Sequence, residues 1–182
     1  MKKAFLLLLA TFWSGLFITV NPGFADIWIK ARIPAEQWTG VTSSANGAKL
    51  VATAYDGGIY TSRDSGFTWV KTKAPQNAWQ SVASSADGTR LVAGAGDYSA
   101  GGIFISKDSG RTWWQTGIFP TDSVASSADG TKMTAATVQE YTVITSRNSG
   151  GTWIVDDVPP SPWRSIASSS DGRRLVAASL LD

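Results

Sequence analysis

Four near-copies of one short segment, set at an almost constant interval, constrain this chain more than any other feature. The segment reads Gly40-Val41-Thr42-Ser43-Ser44-Ala45-Asn46-Gly47, then Ser81-Val82-Ala83-Ser84-Ser85-Ala86-Asp87-Gly88. It returns as Ser123-Val124-Ala125-Ser126-Ser127-Ala128-Asp129-Gly130 and as Ser165-Ile166-Ala167-Ser168-Ser169-Ser170-Asp171-Gly172. Successive starts lie 41, 42 and 42 residues apart. A second segment keeps the same period. It reads Ser62-Arg63-Asp64-Ser65-Gly66-Phe67-Thr68-Trp69, then Ser106-Lys107-Asp108-Ser109-Gly110-Arg111-Thr112-Trp113, then Ser146-Arg147-Asn148-Ser149-Gly150-Gly151-Thr152-Trp153. A period of this length holds about four short strands. One such unit cannot bury its apolar face alone, so the units must stack.

The pattern S-x-D-x-G-x-T-W resembles the Asp-box (BNR) repeat of sialidase-superfamily β-propellers. The same box occurs in sortilin-like receptors, xyloglucanase-type glycosidases and photosystem II assembly factors. The resemblance implies an all-β fold of propeller-type, four-stranded blades. It implies no single activity, because those families share the box and not the job.

The box has a physical reading of its own. Asp64 and Ser65 are short polar residues that bond back to nearby backbone N–H groups and hold a turn. Gly66 supplies a positive φ at little steric cost. Thr68 and Trp69 open the next strand, and the indole is large enough to wedge between sheets. Asp64, Gly66 and Trp69, Asp108, Gly110 and Trp113, and Asn148, Gly150 and Trp153 are therefore read as structural staples. A calcium site would need oxygen ligands at alternate positions, and the loop lacks them. Asn148 also replaces the charge with an amide, which still caps a turn. No metal and no cofactor are expected.

The first 25 residues read as a secretory signal. Lys2 and Lys3 precede an apolar run over residues 4–20, and Gly23-Phe24-Ala25 is a small-x-small cleavage site before Asp26. No Cys follows the run, which excludes a lipid-anchored lipoprotein. The expected product is secreted or periplasmic, with no transmembrane segment after cleavage. The alternative is a retained N-terminal anchor. The chain has no His and no Cys, so Ser-His-Asp and Cys-His catalysis, disulfides and ordinary zinc sites are ruled out. Fourteen basic and 14 acidic residues follow residue 25, so nothing points to nucleic acid.

Repeat 2 predicts strands at residues 79–85, 90–95, 102–106 and 112–116, with Asp87-Gly88 as a hairpin turn. Trp28 and Trp38 copy the spacing of Trp69 and Trp79, ten residues apart with a Pro between them. Residues 27–31 therefore read as a fourth strand with no blade before it. The division is an orphan strand over 26–37, blades over 38–78, 79–120 and 121–162, and a partial blade over 163–182. About three and a half blades are too few for easy closure. The expected form is an open arc or a truncated ring whose uncovered edges invite self-association.

In such a blade the Asp-Gly turns and the boxes share one face. The opposite face carries the variable loops: Tyr55-Asp56-Gly57-Gly58, Gly96-Asp97-Tyr98-Ser99-Ala100-Gly101 and Val138-Gln139-Glu140-Tyr141. Function gathers on variable loops held by a rigid scaffold. Asp56, Asp97, Tyr98, Glu140 and Tyr141 are the candidate contact residues, suited to a protein or a carbohydrate. Arg32-Ile33-Pro34 matches the motif that carries the first catalytic arginine of sialidases. Pro34 also has a repeat counterpart in Pro75, so the motif is read as linker, and no catalytic residue is assigned. Glycoside hydrolysis would need a carboxylate pair. Asp56, Asp97, Glu140, Asp156 and Asp157 are available, and no spacing selects two of them.

Overall fold

The computed structural model describes residues 17–19, 28–97, 100–117, 119–137 and 140–180. The expected cleavage site and Tyr98 lie outside the described residues.

The described residues form antiparallel sheets and no helix. β1 (Phe17–Thr19) pairs with β2 (Trp28–Lys30). Blade 1 runs β3 (Trp38–Ser43), β4 (Leu50–Ala54), β5 (Ile59–Ser62) and β6 (Val70–Lys71), each paired with the next. Blade 2 repeats the order with β7 (Trp79–Ser84), β8 (Leu91–Ala95), β9 (Gly102–Ser106) and β10 (Trp114–Gly117). Blade 3 does so with β11 (Thr121–Ser126), β12 (Met133–Thr137), β13 (Val143–Ser146) and β14 (Ile154–Val155). A two-stranded sheet of β15 (Trp163–Ser168) and β16 (Leu175–Ser179) follows.

The expected all-β, four-stranded, incomplete architecture is present. Repeat chemistry explains the regularity. Each first strand shifts register after its opening residue, at Trp38/Gly40, Trp79/Ser81, Thr121/Ser123 and Trp163/Ser165. Such a bulge bends the strand and raises its twist at one fixed point. The second strands of blades 2 and 3 are covered on both faces: all of β8 and all of β12 are buried, whereas β16 is mostly exposed.

The blades are joined along their first strands: β3 packs on β7, β7 on β11, and β11 on β15. Each first strand also packs on the second strand of the preceding blade. Backbone bonds then cross from turn to turn. The Ala45 N–H donates to the Ala86 carbonyl at 2.8 Å, Ala86 to Ala128 at 2.7 Å, and Ala128 to Ser170 at 2.7 Å. Lys49 donates to the Asp87 carbonyl at 2.8 Å, Arg90 to that of Asp129 at 2.6 Å, and Lys132 to that of Asp171. The Val124 N–H donates to Ser81 Oγ at 3.2 Å, and the Ile166 N–H to Ser123 Oγ at 3.1 Å.

Among the described residues, three apolar clusters sit between successive sheets, the smallest holding Ala125 and Val143 of blade 3 with Ile166 of β15; the other two are larger. One holds Val51 and Ile59 of blade 1 with Trp79, Val82 and Leu91 of blade 2. The other holds Val92 and Ile105 of blade 2 with Val124, Met133 and Ile144 of blade 3. Trp69, Trp113 and Trp153 are half-buried, and Trp153 reaches the neighbouring blade, its Nε1 donating to Thr116 Oγ1 at 3.2 Å. Their indoles lie at the rim: Trp69 Nε1 bonds back to the Gly66 carbonyl at 2.9 Å, and Trp113 and Trp153 pack against the sides of the two larger clusters. Among the described tryptophans the enclosed one is Trp79, which opens the first strand of blade 2 and meets Phe104 edge-on at 4.9 Å.

A further correction concerns the N-terminal strand. β2 is not alone, because β1 pairs with it as Phe17↔Lys30 and Ile18↔Ile29. That is the register of third on fourth strand in blade 1, Tyr60↔Lys71 and Thr61↔Val70. Among the described residues, the sheets of β3 and β15 do not pack on one another as neighbouring blades do, and the arc is open.

Candidate functional site

The two faces of the arc differ in how their polar groups are spent. On the turn face, Ser62 Oγ donates to Asp64 Oδ1 at 2.8 Å and accepts from the Gly66 N–H at 2.8 Å. The Thr68 N–H donates to Asp64 Oδ1 at 2.8 Å, and its hydroxyl donates to Oδ2 at 2.6 Å. Asp108 repeats the set with Ser106 and Thr112. Asn148 keeps the geometry, accepting from the Thr152 N–H at 2.8 Å and donating Nδ2 to the Thr152 hydroxyl at 3.0 Å.

The work assigned to Ser65 falls instead to Ser62. Ser65, Ser109 and Ser149 contribute backbone shape, with φ of 57°, 58° and 56° just before glycines at 91°, 82° and 79°. Bonds from Thr68 hold the Asp64 carboxyl below its usual range. At Asp108 partial desolvation pushes upward, and the bonds from Thr112 and Ser106 outweigh it. These carboxylates are satisfied internally and offer little to a ligand.

The opposite face is less self-contained. Asp56 is exposed with φ 51°, and its carbonyl accepts from Gln76 Nε2 at 2.7 Å. The Asp97 carbonyl accepts from the Gly101 N–H at 2.8 Å, closing its loop. Tyr98 lies outside the described residues. Glu140 is exposed, and Tyr141 is exposed with φ 50°. A bulky residue at positive φ is an outlier that surrounding structure must hold in place.

Asp56, Asp97 and Glu140 belong to three different blades. Glu140 and Tyr141 share a recess with other side chains: a groove of about 330 Å³ with Phe119, Val155, Asp156 and Pro160. Asp156 Oδ1 accepts from Thr145 at 3.0 Å, while its buried Oδ2 has no partner among the described residues. Phe119 and Pro160 were missed by sequence reasoning. The signal was present: the linker after blade 2 is shortened and carries Thr121 in the place of a tryptophan. Phe119, two residues earlier, packs on the apolar cluster there. Arg32 and Pro34 are exposed linker residues. No group of three or more acidic side chains that could hold a metal occurs among the described residues.

No family model matches the chain. No curated protein matches it either. Solved structures do. The chain resembles the β-propeller domain of Cps50 (Swd1) from Myceliophteria thermophila at 16% identity and TM-score 0.58, covering 85% of this chain and 56% of that one. This chain has a β-propeller fold. It is also similar to YCF48 bound to D1 peptide, at 15% identity and TM-score 0.57, over 84% of this chain and 50% of that one. Against the GH74 enzyme of Niastella koreensis the identity is 22% and the TM-score 0.55, over 71% of this chain and 20% of that one. The chain thus spans between a fifth and rather more than half of the propeller proteins it matches. At these identities the likeness concerns fold.

Proposed function

We propose that this protein is an exported, non-enzymatic propeller-type repeat protein that binds a segment of another protein on its variable-loop face. The observation that carries the reading is the groove at Glu140 and Tyr141. It sets the exposed Tyr141, held at positive φ, beside Phe119 and Asp156. Apolar area with a few polar groups is what a peptide-sized ligand requires. Solution of the neighbour YCF48 with a bound peptide supports the same class of ligand. An assembly factor for a membrane complex, which the photosystem-factor resemblance suggests, would be one form of it. Export rests on the basic start, the apolar run and the Ala25 site; cleavage there would remove β1 and leave β2 without that partner.

Arrays of peptides and of glycans, probed with the purified protein, test this. Peptides should bind, and binding should fall at least tenfold in Tyr141→Ala and Glu140→Lys with no change in melting temperature. Capture of glycans alone, cleavage of β-glucans, or peptide binding indifferent to both substitutions would sink the reading.

A further inference from the structure

The repeats make the two ends of the arc complementary. Val41, Val82, Val124 and Ile166 occupy one position in successive first strands. Val82, Val124 and Ile166 are buried at 7%, 5% and 7% exposure, each under the blade before it, whereas Val41 is 59% exposed. Val51, Val92, Thr134 and Val176 occupy one position in successive second strands. The first three are buried at 4%, 0% and 3%, each beneath the blade that follows, whereas Val176 is 68% exposed. The surface bared at the front of blade 1 is thus the one that fits a preceding blade. The surface bared on β15 and β16 is the one that fits a following blade.

Polar groups repeat the logic. The turn-to-turn bonds from Ala45 to Ala86, Ala128 and Ser170 leave the Ser170 N–H with no acceptor, and the Ala45 carbonyl with no donor, among the described residues. Lys49, Arg90 and Lys132 each reach a carbonyl of the next blade; Arg174 stands in their place at the C-terminal end, and Asn46 stands at the N-terminal end where Asp87, Asp129 and Asp171 accept. Ser165 corresponds to Ser81 and Ser123, whose hydroxyls accept the N–H of the following blade.

We infer that a second copy of this chain docks head to tail, with blade 1 of each copy seated on the β15–β16 sheet of the other. Val41 of the second copy covers Val176, the Ser170 N–H donates to its Ala45 carbonyl, Arg174 reaches its Asn46 carbonyl, and its Val41 N–H meets Ser165 Oγ. The joint needs only the first and second strands of the receiving blade, because those are the strands that neighbouring blades already use. β15 and β16 supply both.

Two copies rather than one follow from the length of the described arc. The match covers 56% of a solved β-propeller domain, so the described residues make up about half of such a ring. Two arcs, each with the four first strands β3, β7, β11 and β15, close a ring within the known size range. A head-to-tail contact that closes in this way gives a finite assembly.

Sedimentation of the purified protein tests the proposal. The expected species contains two chains. Val41→Arg and Val176→Glu each alter a side chain that is exposed in the single chain, so both variants should keep the native circular dichroism spectrum and sediment as one chain. Mixing the two should restore the two-chain species. One joint is then native, and the other sets the introduced cation against the introduced anion. A wild-type protein that stays a single chain, whether because its ends are covered by other sequence or not at all, overturns the proposal. So does a two-chain species that survives either substitution, or a mixture in which no two-chain species returns.

Discussion

Blade 2 and the β15–β16 sheet begin with nearly the same sequence and end in different environments. Trp79-Gln80-Ser81-Val82-Ala83-Ser84 and Trp163-Arg164-Ser165-Ile166-Ala167-Ser168 form matching first strands with the same bulge. Leu91 and Val92 are fully buried, while Leu175 and Val176 are exposed. The difference is neighbours. Leu91 is closed over by its own blade's turn at Gly110 and its own third strand. Among the described residues β16 has no third strand beside it, and a recess of about 670 Å³ between Thr145, Asp156, Trp163 and Leu175 opens beside blade 3. A repeat position therefore has no fixed burial; its stacking partners set it.

The largest test of that statement is Trp79→Ala against Trp163→Ala. Removal of the enclosed Trp79 should cost about 3–5 kcal/mol. Removal of the half-buried Trp163 should cost less than about half as much in the same denaturant titration. Equal losses would break the comparison. Next comes the leucine pair. Leu91→Ala should destabilise by about 2–5 kcal/mol, and Leu175→Ala by under about 1 kcal/mol, read from the shift in unfolding midpoint.

A smaller effect separates a stapled turn from its absence. Asp108→Ala removes the acceptor for the Thr112 N–H and hydroxyl and should cost about 1 kcal/mol. Asp108→Asn should recover much of that, because Asn148 makes the same turn in blade 3. An asparagine variant no better than the alanine would show that charge, not geometry, holds the turn.

The smallest effect is in pH. The Ser85 hydroxyl, followed by the Thr89 N–H and hydroxyl, pulls the Asp87 carboxyl from 3.8 to about 2. Asp171 is also lowered, by Ser169 and the Arg173 N–H, with no hydroxyl at position 173 to add a third bond. A carboxyl depressed in the folded state adds stability above its unfolded value, and that stability fades as pH falls toward the folded one. Unfolding midpoints should therefore decline between about pH 4 and pH 2. Asp87→Asn should flatten that decline more than Asp171→Asn does. Solvent screening keeps both effects small.

Much of the candidate site was legible because loops were compared at equal repeat positions. Asp56, Asp97, Glu140 and Tyr141 lie where variable loops were expected. That Glu140 and Tyr141 meet Phe119, Asp156 and Pro160 was not legible, since a groove depends on how linkers from consecutive blades lean together. The roles of Ser62 and Ser65 were exchanged for a related reason. Both are serines within two residues of Asp64, and only the backbone path shows which hydroxyl points inward. β1 escaped notice because its residues also make a good apolar leader, and composition cannot distinguish a leader from a strand.

The sequence by itself determined the repeat unit, its strands and its turns. These depend on interactions within a few residues: alternation, Asp-Gly turns, and an Asp or Asn that bonds four residues ahead. The tertiary structure alone decided which equivalent positions are buried, and that Trp79 and not the turn tryptophans is enclosed. Those outcomes depend on curvature and on the presence of a next blade, and neither is written in any single repeat.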